Sequence, residues 1–244
     1  MIRGVTVDWW HTMVEPHGDD WEQVAKRLRC EAIERVLKAH GITCTFERID
    51  LAYDLWTDHL KRAWKKNVDW SSERQVSDLL ASAGYDGRAD ASLLKDMREP
   101  IGAPLVEHLP KLHEGVLEVL GAMRERGLKL AVISNTGRTW GQFLRQVQDR
   151  LGLSGWFDHL TFSDEARTRK PSRAIFEGTL AALELRPEEV VHVGDDVDAD
   201  VAGAKAAGMR AVWYDTGRWT GASTDQADAV IHAWTQLPDL LRRW

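Results

Sequence analysis

The stretch Ile2-Arg3-Gly4-Val5-Thr6-Val7-Asp8-Trp9-Trp10-His11-Thr12-Met13 decides how the rest of the chain is read. An apolar, strand-forming run stops at Asp8, and a hydroxyl, Thr12, follows four residues later. In a parallel α/β sheet, ligands bind outside the carboxyl ends of the strands. A carboxylate delivered there can serve as a nucleophile or as a metal ligand. Trp10, two residues on, places an indole in the same loop.

Outward from this segment the pattern changes twice. Over residues 21–94, apolar positions recur at helix spacing, as in Ala25, Leu28, Ile33, Val36 and Leu37, with Gly41 as a stop. Leu51, Leu55, Trp56, Leu60 and Trp64, then Val76, Leu79, Leu80 and Ala83, continue that spacing. Pro100, Pro104 and Pro110 punctuate a connecting stretch. Beyond it, strands at 129–134, 159–162, 190–193, 210–214 and 229–231 alternate with helices at 116–126, 141–151, 172–183 and 201–207. That alternation predicts an α/β fold with a doubly wound parallel sheet, Rossmann-like in its winding. The core is then split into residues 1–15 and 108–244. A helical insertion of about 92 residues, 16–107, follows the first strand, with hinges expected near residues 16–18 and 100–110.

The bulk properties narrow the function classes. The chain has 244 residues, 43% hydrophobic and 29% charged, enough to bury a substantial core. A net charge of −6 without any basic block speaks against nucleic acid and against a membrane surface as partners. Two cysteines, Cys30 and Cys44, are too few for a disulfide scaffold or a zinc site and fit a reducing cytoplasm. No apolar stretch reaches transmembrane length, and no signal-peptide pattern opens the sequence. The 12 tryptophans are accounted for mostly by packing, with a few available to line a pocket; in the insertion these are Trp56, Trp64 and Trp70.

Four strand ends carry reactive groups. Asp8 with Thr12 is the first. Ser134-Asn135-Thr136-Gly137, leading into a helix, offers a hydroxyl and backbone N–H groups to an anion. Arg169-Lys170-Pro171 offers a fixed cation. Gly194-Asp195-Asp196-Val197-Asp198-Ala199-Asp200 supplies carboxylates which, with Asp8, suit Mg²⁺, a hard cation preferring oxygen ligands. Taken singly, each has a local explanation: an N-cap, a turn residue, a solvated lysine, capping carboxylates. The acidic run is not a calcium loop, because Val201 and Ala207 stand where that loop needs Gly and Glu. His192, within a strand, reads as a packed histidine.

In order, these four motifs resemble those of the haloacid dehalogenase (HAD) superfamily. The likeness is closest from Ser163-Asp164-Glu165 through Arg169-Lys170-Pro171, Ile175-Phe176 and His192-Val193-Gly194-Asp195 to Asp200-Val201, Gly203-Ala204 and Ala207-Gly208. It covers the whole core, about 150 residues, and the helical insertion lies where the family's class I caps sit. The resemblance implies a HAD-like hydrolase with Asp8 as covalent nucleophile. It implies Mg²⁺ held by the Asp8 carboxylate, the backbone carbonyl of Trp10, and Asp195. Ser134, Asn135 and Lys170 would bind and neutralise the phosphoryl group. Thr12 would steady the nucleophile loop, and Asp200 would bind metal through water or orient Lys170.

Residue 10 departs from the pattern. The family's phosphatases carry a second Asp there as general acid/base, and His11 stands where Gly is usual. Indole cannot transfer protons at neutral pH, and the lost step is worth about 10²–10⁴-fold. A phosphatase so built suits aryl or acyl phosphates, whose leaving groups depart unprotonated; His11 is a candidate substitute proton donor. The 2-haloacid dehalogenases also carry an aromatic residue at this position, and in that alternative Asp8 attacks carbon. They need no metal, which the Gly194-Asp195-Asp196 motif argues against, and Arg27, Arg29 and Arg35 are candidates by location alone for a substrate carboxylate. A third possibility is a catalytically impaired HAD-like binding protein. The favoured expectation is a Mg²⁺-dependent phosphatase acting on a small-molecule anionic substrate, cytoplasmic, and monomer or homodimer.

Overall fold

A computed structural model of the chain describes every residue except Pro16, His17, Asp19, Asp86 and Arg88. The expected hinge at residues 16–18 therefore falls largely outside the described residues. From the N-terminus, β1 (Gly4–Val7) is followed by a two-residue strand, β2 (Val14–Glu15). The insertion runs as α1 (Trp21–Ala39), α2 (Phe46–Trp64), α3 (Ser72–Ser82), α4 (Ala91–Asp96) and α5 (Arg98–Glu107). Strand β3 (Lys111–Leu112) then pairs antiparallel with β2, so the chain enters and leaves the insertion side by side. The core resumes with α6 (Val116–Glu125), β4 (Lys129–Ser134), α7 (Gly141–Arg150), β5 (His159–Phe162), α8 (Ser163–Ala166) and α9 (Arg173–Leu183). It closes with β6 (Val190–Gly194), a π-helical turn at Val197–Ala202, α10 (Gly203–Ala206), β7 (Arg210–Tyr214), β8 (Ala229–Ile231) and α11 (Leu237–Leu241).

Six strands form one parallel sheet in the order β5-β4-β1-β6-β7-β8. Because strand side chains alternate between faces, Leu130 and Val132 join one apolar cluster while Ala131 and Ile133 join another. The first cluster is closed by α6, α7 and α11, the second by α9 and α10. This is the doubly wound arrangement that the alternation predicted. β1 lies between β4 and β6, so the strands that follow it are added first on one side, β4 and β5, and then on the other, β6, β7 and β8. The carboxyl ends of β4, β1 and β6 meet where a doubly wound sheet binds ligands.

The insertion has its own core, centred on Trp56, Leu60, Ile33 and Ile49. Its helices begin where short polar side chains accept the first free N–H groups: Thr45 for α2, Ser71 for α3, Asp90 for α4. Trp140 and Phe143, from the core's α7, complete this cluster and fasten the cap to the core. The contact is close enough that a Cβ on Gly102 of α5 would fall 2.0 Å from the Phe143 ring.

Two sequence expectations change here. Pro100 and Pro104 lie inside helix α5 rather than in an open connector. Pro100 sits in the first turn, where its missing N–H has no helical partner to lose, and burial of Ile101 and Leu105 holds the rest. The helix expected from Val201 starts four residues earlier as a π-helical turn capped by Asp196, which accepts from the Asp198 and Ala199 N–H groups.

Candidate active site

The strand ends bring together the groups that the sequence singled out. The Asp8, Asp195 and Asp200 carboxylates offer oxygens that lie within 4.8 Å of one another, and all three residues are buried. The Lys170 ammonium bonds to Asp8 Oδ1 and lies 2.6 Å from Asp200 Oδ1. His192 Nε2 meets the same Asp200 oxygen at 3.1 Å, and its Nδ1 is 2.8 Å from the Thr6 hydroxyl, so it is the packed, satisfied histidine expected. Asp200 Oδ2 accepts the Asp196 N–H at 3.0 Å. A Cβ at Gly194 would come within 2.2 Å of the Asp200 carboxyl carbon, which is why the strand must end in glycine.

Asp195 is held three ways. Thr12 Oγ1 donates to Oδ1 at 3.2 Å, Trp219 Nε1 to Oδ2 at 2.8 Å, and Trp213 Nε1 to the main-chain oxygen at 2.9 Å. The Thr12 hydroxyl thus acts on a carboxylate at the end of another strand, β6. Ser134 Oγ is fully buried and has no hydrogen-bond partner among the described residues. Asn135 is placed differently from a free anion donor: its amide exchanges two bonds with the Lys170 backbone, Nδ2 to the carbonyl at 3.1 Å and Oδ1 from the N–H at 2.9 Å. Its side chain therefore positions Lys170 and leaves its backbone to face an anion.

Three carboxylates surround a single ammonium, and their protonation follows. Burial pushes Asp8 up to about 8, with Asp200 and Asp195 adding to the rise and Lys170 opposing it. Burial and Asp200 push Asp195 up to about 6. Burial raises Asp200 too, but Lys170 and His192 outweigh it and hold this carboxyl well below the usual range. Burial disfavours the Lys170 ammonium, yet Asp200 and Asp8 keep it charged. Fully ionised, the cluster lacks positive charge, and its oxygen-only donor set fits a hard divalent cation such as Mg²⁺. Asp8, Asp195 and the Trp10 carbonyl would hold it; both Asp200 oxygens are already engaged.

A cavity of about 420 Å³ opens beside this floor, between core and cap. Trp10, Trp21, Trp64 and Leu105 give it apolar walls, with Arg29, Arg138 and Arg218 among its polar ones. Trp10 and His11 both line it, although neighbours in an extended chain point apart. His11 has φ +59°, the left-handed conformation that favours the glycine usual there. Burial, with Arg218 and His113, lowers His11 to about 4. Its neutral form is thereby favoured at pH 7. Of the candidate cap arginines, Arg27 pairs with Glu31 on the surface and Arg35 lies away from the site. Arg29 is buried on the cavity wall and, among the described residues, donates only to neutral groups: Ile101 O at 2.8 Å, Tyr53 Oη at 2.9 Å and Thr139 Oγ1 at 3.1 Å. Of the cap tryptophans, Trp56 is core and Trp70 stacks under Arg74, leaving Trp64 on the wall.

Two residues escaped sequence reasoning. Asp69, in the cap, accepts from Ser163 Oγ at 2.6 Å and pairs with Arg169 at 3.2 Å; Ser163 Oγ in turn accepts the Thr136 N–H at 2.9 Å. Trp219 reaches Asp195 from the loop between β7 and β8. Neither position carries a local sequence signal, because both contacts join segments far apart in the chain.

A family model described as haloacid dehalogenase-like hydrolase matches residues 2–208. The glyceraldehyde 3-phosphate phosphatase of Pyrococcus furiosus is 31% identical over 129 residues, 52% of this chain and 52% of that protein. The phosphoserine phosphatase of Thermus thermophilus is 38% identical over 98 residues, 40% of this chain and 38% of that protein. The matched region spans about half the length of the first of these curated relatives. Among solved structures, a 2-haloacid dehalogenase from Pseudomonas syringae pv. Tomato covers 100% of both chains with a TM-score of 0.71 at 22% identity, a likeness of fold. A HAD phosphatase from Thermococcus onnurineus gives 0.62 at 21% identity over 98% of each.

Proposed function

This chain belongs to the haloacid dehalogenase-like hydrolases, and from that premise we propose that it is a Mg²⁺-dependent phosphatase of a small, anionic phosphorylated metabolite. The observation that carries this reading is the Asp8–Lys170–Asp200–Asp195 cluster beside the unpartnered Ser134 hydroxyl. A bare carboxylate repels a phosphate dianion; this floor supplies an ammonium and a seat for a divalent cation. The names of the Pyrococcus and Thermus relatives support a small phosphorylated substrate.

In the proposed reaction an Asp8 carboxylate oxygen attacks phosphorus, the bond to the leaving oxygen breaks, and an aspartyl phosphate forms. Water then attacks phosphorus, releasing phosphate and restoring Asp8. Lys170 and the Ser134 hydroxyl stabilise the transferring group, and Asn135 fixes the Lys170 backbone. A bound Mg²⁺ would supply charge neutralisation between nucleophile and phosphate. Thr12 orients Asp195, and Asp200 orients Lys170.

No residue at position 10 hands the leaving group a proton, and His11 is neutral. The substrate class is therefore aryl or acyl phosphates. Arg29, Arg138 and Arg218 on the cavity wall suit a substrate with a second negative group. A cytoplasmic monomer or homodimer is the setting we propose; among the described residues no helix is long and apolar enough to cross a membrane.

Phosphate release from aryl and acyl phosphates, with and without chelator, tests the reading. Activity should vanish on chelation and return with Mg²⁺; undiminished hydrolysis in chelator would overturn it. Trp10 on the cavity wall favours one second reading, dehalogenation. Metal-independent halide release from a 2-haloacid would establish it.

A further inference from the structure

Each carboxylate of the strand-end cluster has an oxygen already taken. Lys170 holds Asp8 Oδ1. Both Asp200 oxygens are used, one by Lys170 and His192 and the other by the Asp196 N–H. On Asp195 the occupied oxygens differ in kind. Thr12 Oγ1 lies 3.2 Å from Oδ1, and a hydroxyl can turn its hydrogen elsewhere or accept instead. Trp219 Nε1 lies 2.8 Å from Oδ2, and an indole N–H only donates. The Asp195 backbone that carries this carboxylate is itself anchored, its main-chain oxygen accepting from Trp213 Nε1 at 2.9 Å.

We propose that Trp219 selects the cation: by occupying Oδ2 it leaves Asp195 a single-oxygen ligand, which suits Mg²⁺ and penalises Ca²⁺. This deepens, and rests on, the Mg²⁺ reading above. The chemistry follows from the two ions. Mg²⁺ keeps six ligands in near-ideal octahedral geometry and takes carboxylates through one oxygen. Ca²⁺ takes six to eight oxygens and readily accepts both from one carboxylate. A donor fixed on Oδ2 withholds the second oxygen. Trp219 is suited to this task because it comes from outside the strand-end motifs, on the loop between β7 and β8, and is 45% exposed. Its replacement empties no core cavity.

The test is calorimetric titration of the full chain with MgCl₂ and, separately, CaCl₂, with no substrate present. Partners that orient a metal ligand typically contribute 10–100-fold to metal affinity. In Trp219→Phe the preference for Mg²⁺ over Ca²⁺ should shrink at least about tenfold. Trp219→Gln, whose amide can still donate, should keep most of the preference. Unfolding midpoints measured without cation should stay close to that of the natural chain. An unchanged Mg²⁺/Ca²⁺ ratio in Trp219→Phe would overturn the assignment, even if both affinities fell together. So would a Gln variant that behaves like Phe, because the hydrogen bond would then not be the cause. Absence of any cation binding by the natural chain would instead remove the Mg²⁺ reading itself, and the inference with it.

Discussion

The floor of the site and the wall of the cavity beside it are built on opposite plans. The floor is ionic and buried, and its side chains come from the ends of three adjacent parallel strands and the Lys170 turn. Each of its charged groups has a partner, and its neutral hydroxyl, Ser134, has none among the described residues. The wall is assembled from the loops after β1, β4 and β7 and from the cap, and it mixes indoles with arginines. Its cations meet neutral groups, as Arg29 does, or an exposed carboxylate, as Arg138 does with Glu22. The difference separates two tasks. Under the proposed function the floor would perform one chemistry on any phosphoryl group, and the wall would determine what that group is attached to. Trp10 links the two, following Asp8 by two residues and lining the cavity.

The strongest way to break this division is at Asp8. Asp8→Asn should reduce turnover of every substrate on the order of 10⁴-fold or more, the scale seen when a nucleophile is removed. A steady-state assay showing loss on one substrate alone would place Asp8 in recognition instead. Trp10→Asp tests the boundary. It should raise kcat for alkyl phosphates by about 10²-fold by restoring a proton donor, and change aryl phosphates far less. Equal gains on both would mean that the indole merely obstructs the cavity.

The third test sharpens how the wall is fastened to the floor. Asp69→Asn leaves Arg169 buried without its counter-charge and weakens the bond to Ser163. Denaturant unfolding should show a loss of roughly 2 kcal/mol, with faster hydrogen exchange at Thr136 and Ser163.

The smallest effect is one of pH. Asp8 is raised to about 8 in the folded protein, so between pH 6.5 and 8 the folded state holds a proton that the unfolded chain has released. Stability should therefore fall as pH rises from about 7.5 through 8 in cation-free protein. His11, His113 and His192 are lowered by burial and act in the opposite sense until their unfolded forms, with an ordinary value of 6.5, have released their protons, so the Asp8 slope emerges above about pH 7.5. Melting curves should show the slope disappear in Asp8→Asn and diminish with saturating Mg²⁺. A slope that persists in Asp8→Asn would assign it to other groups.

Most of the core was legible because its signals are local. β4, β5, β7 and β8 are short apolar runs, and they form at the residues expected. The four motifs each sit at a strand end or a turn that local patterning marks. The cap was legible as helix but not as wall: Trp56 and Trp64 share one helix and similar spacing, yet one fills the core and the other lines the cavity. The π-helical start before α10 was hidden because its cause, Asp200 folding back on the Asp196 N–H, is a tertiary fit against Gly194.

The amino-acid sequence by itself determined the parallel α/β core and the gathering of Asp8, Ser134, Lys170, Asp195 and Asp200 at its strand ends and turns. These depend on apolar periodicity and on residue type at strand ends, which are properties of neighbouring positions. Only the tertiary structure decided that His11 turns onto the same wall as Trp10, that buried Arg29 donates to Ile101, Tyr53 and Thr139, that Asp69 ties cap to core, and that Trp219 bonds to Asp195. Those contacts join segments far apart along the chain. Their partners are chosen by how helices and loops pack, and no period in the sequence encodes that.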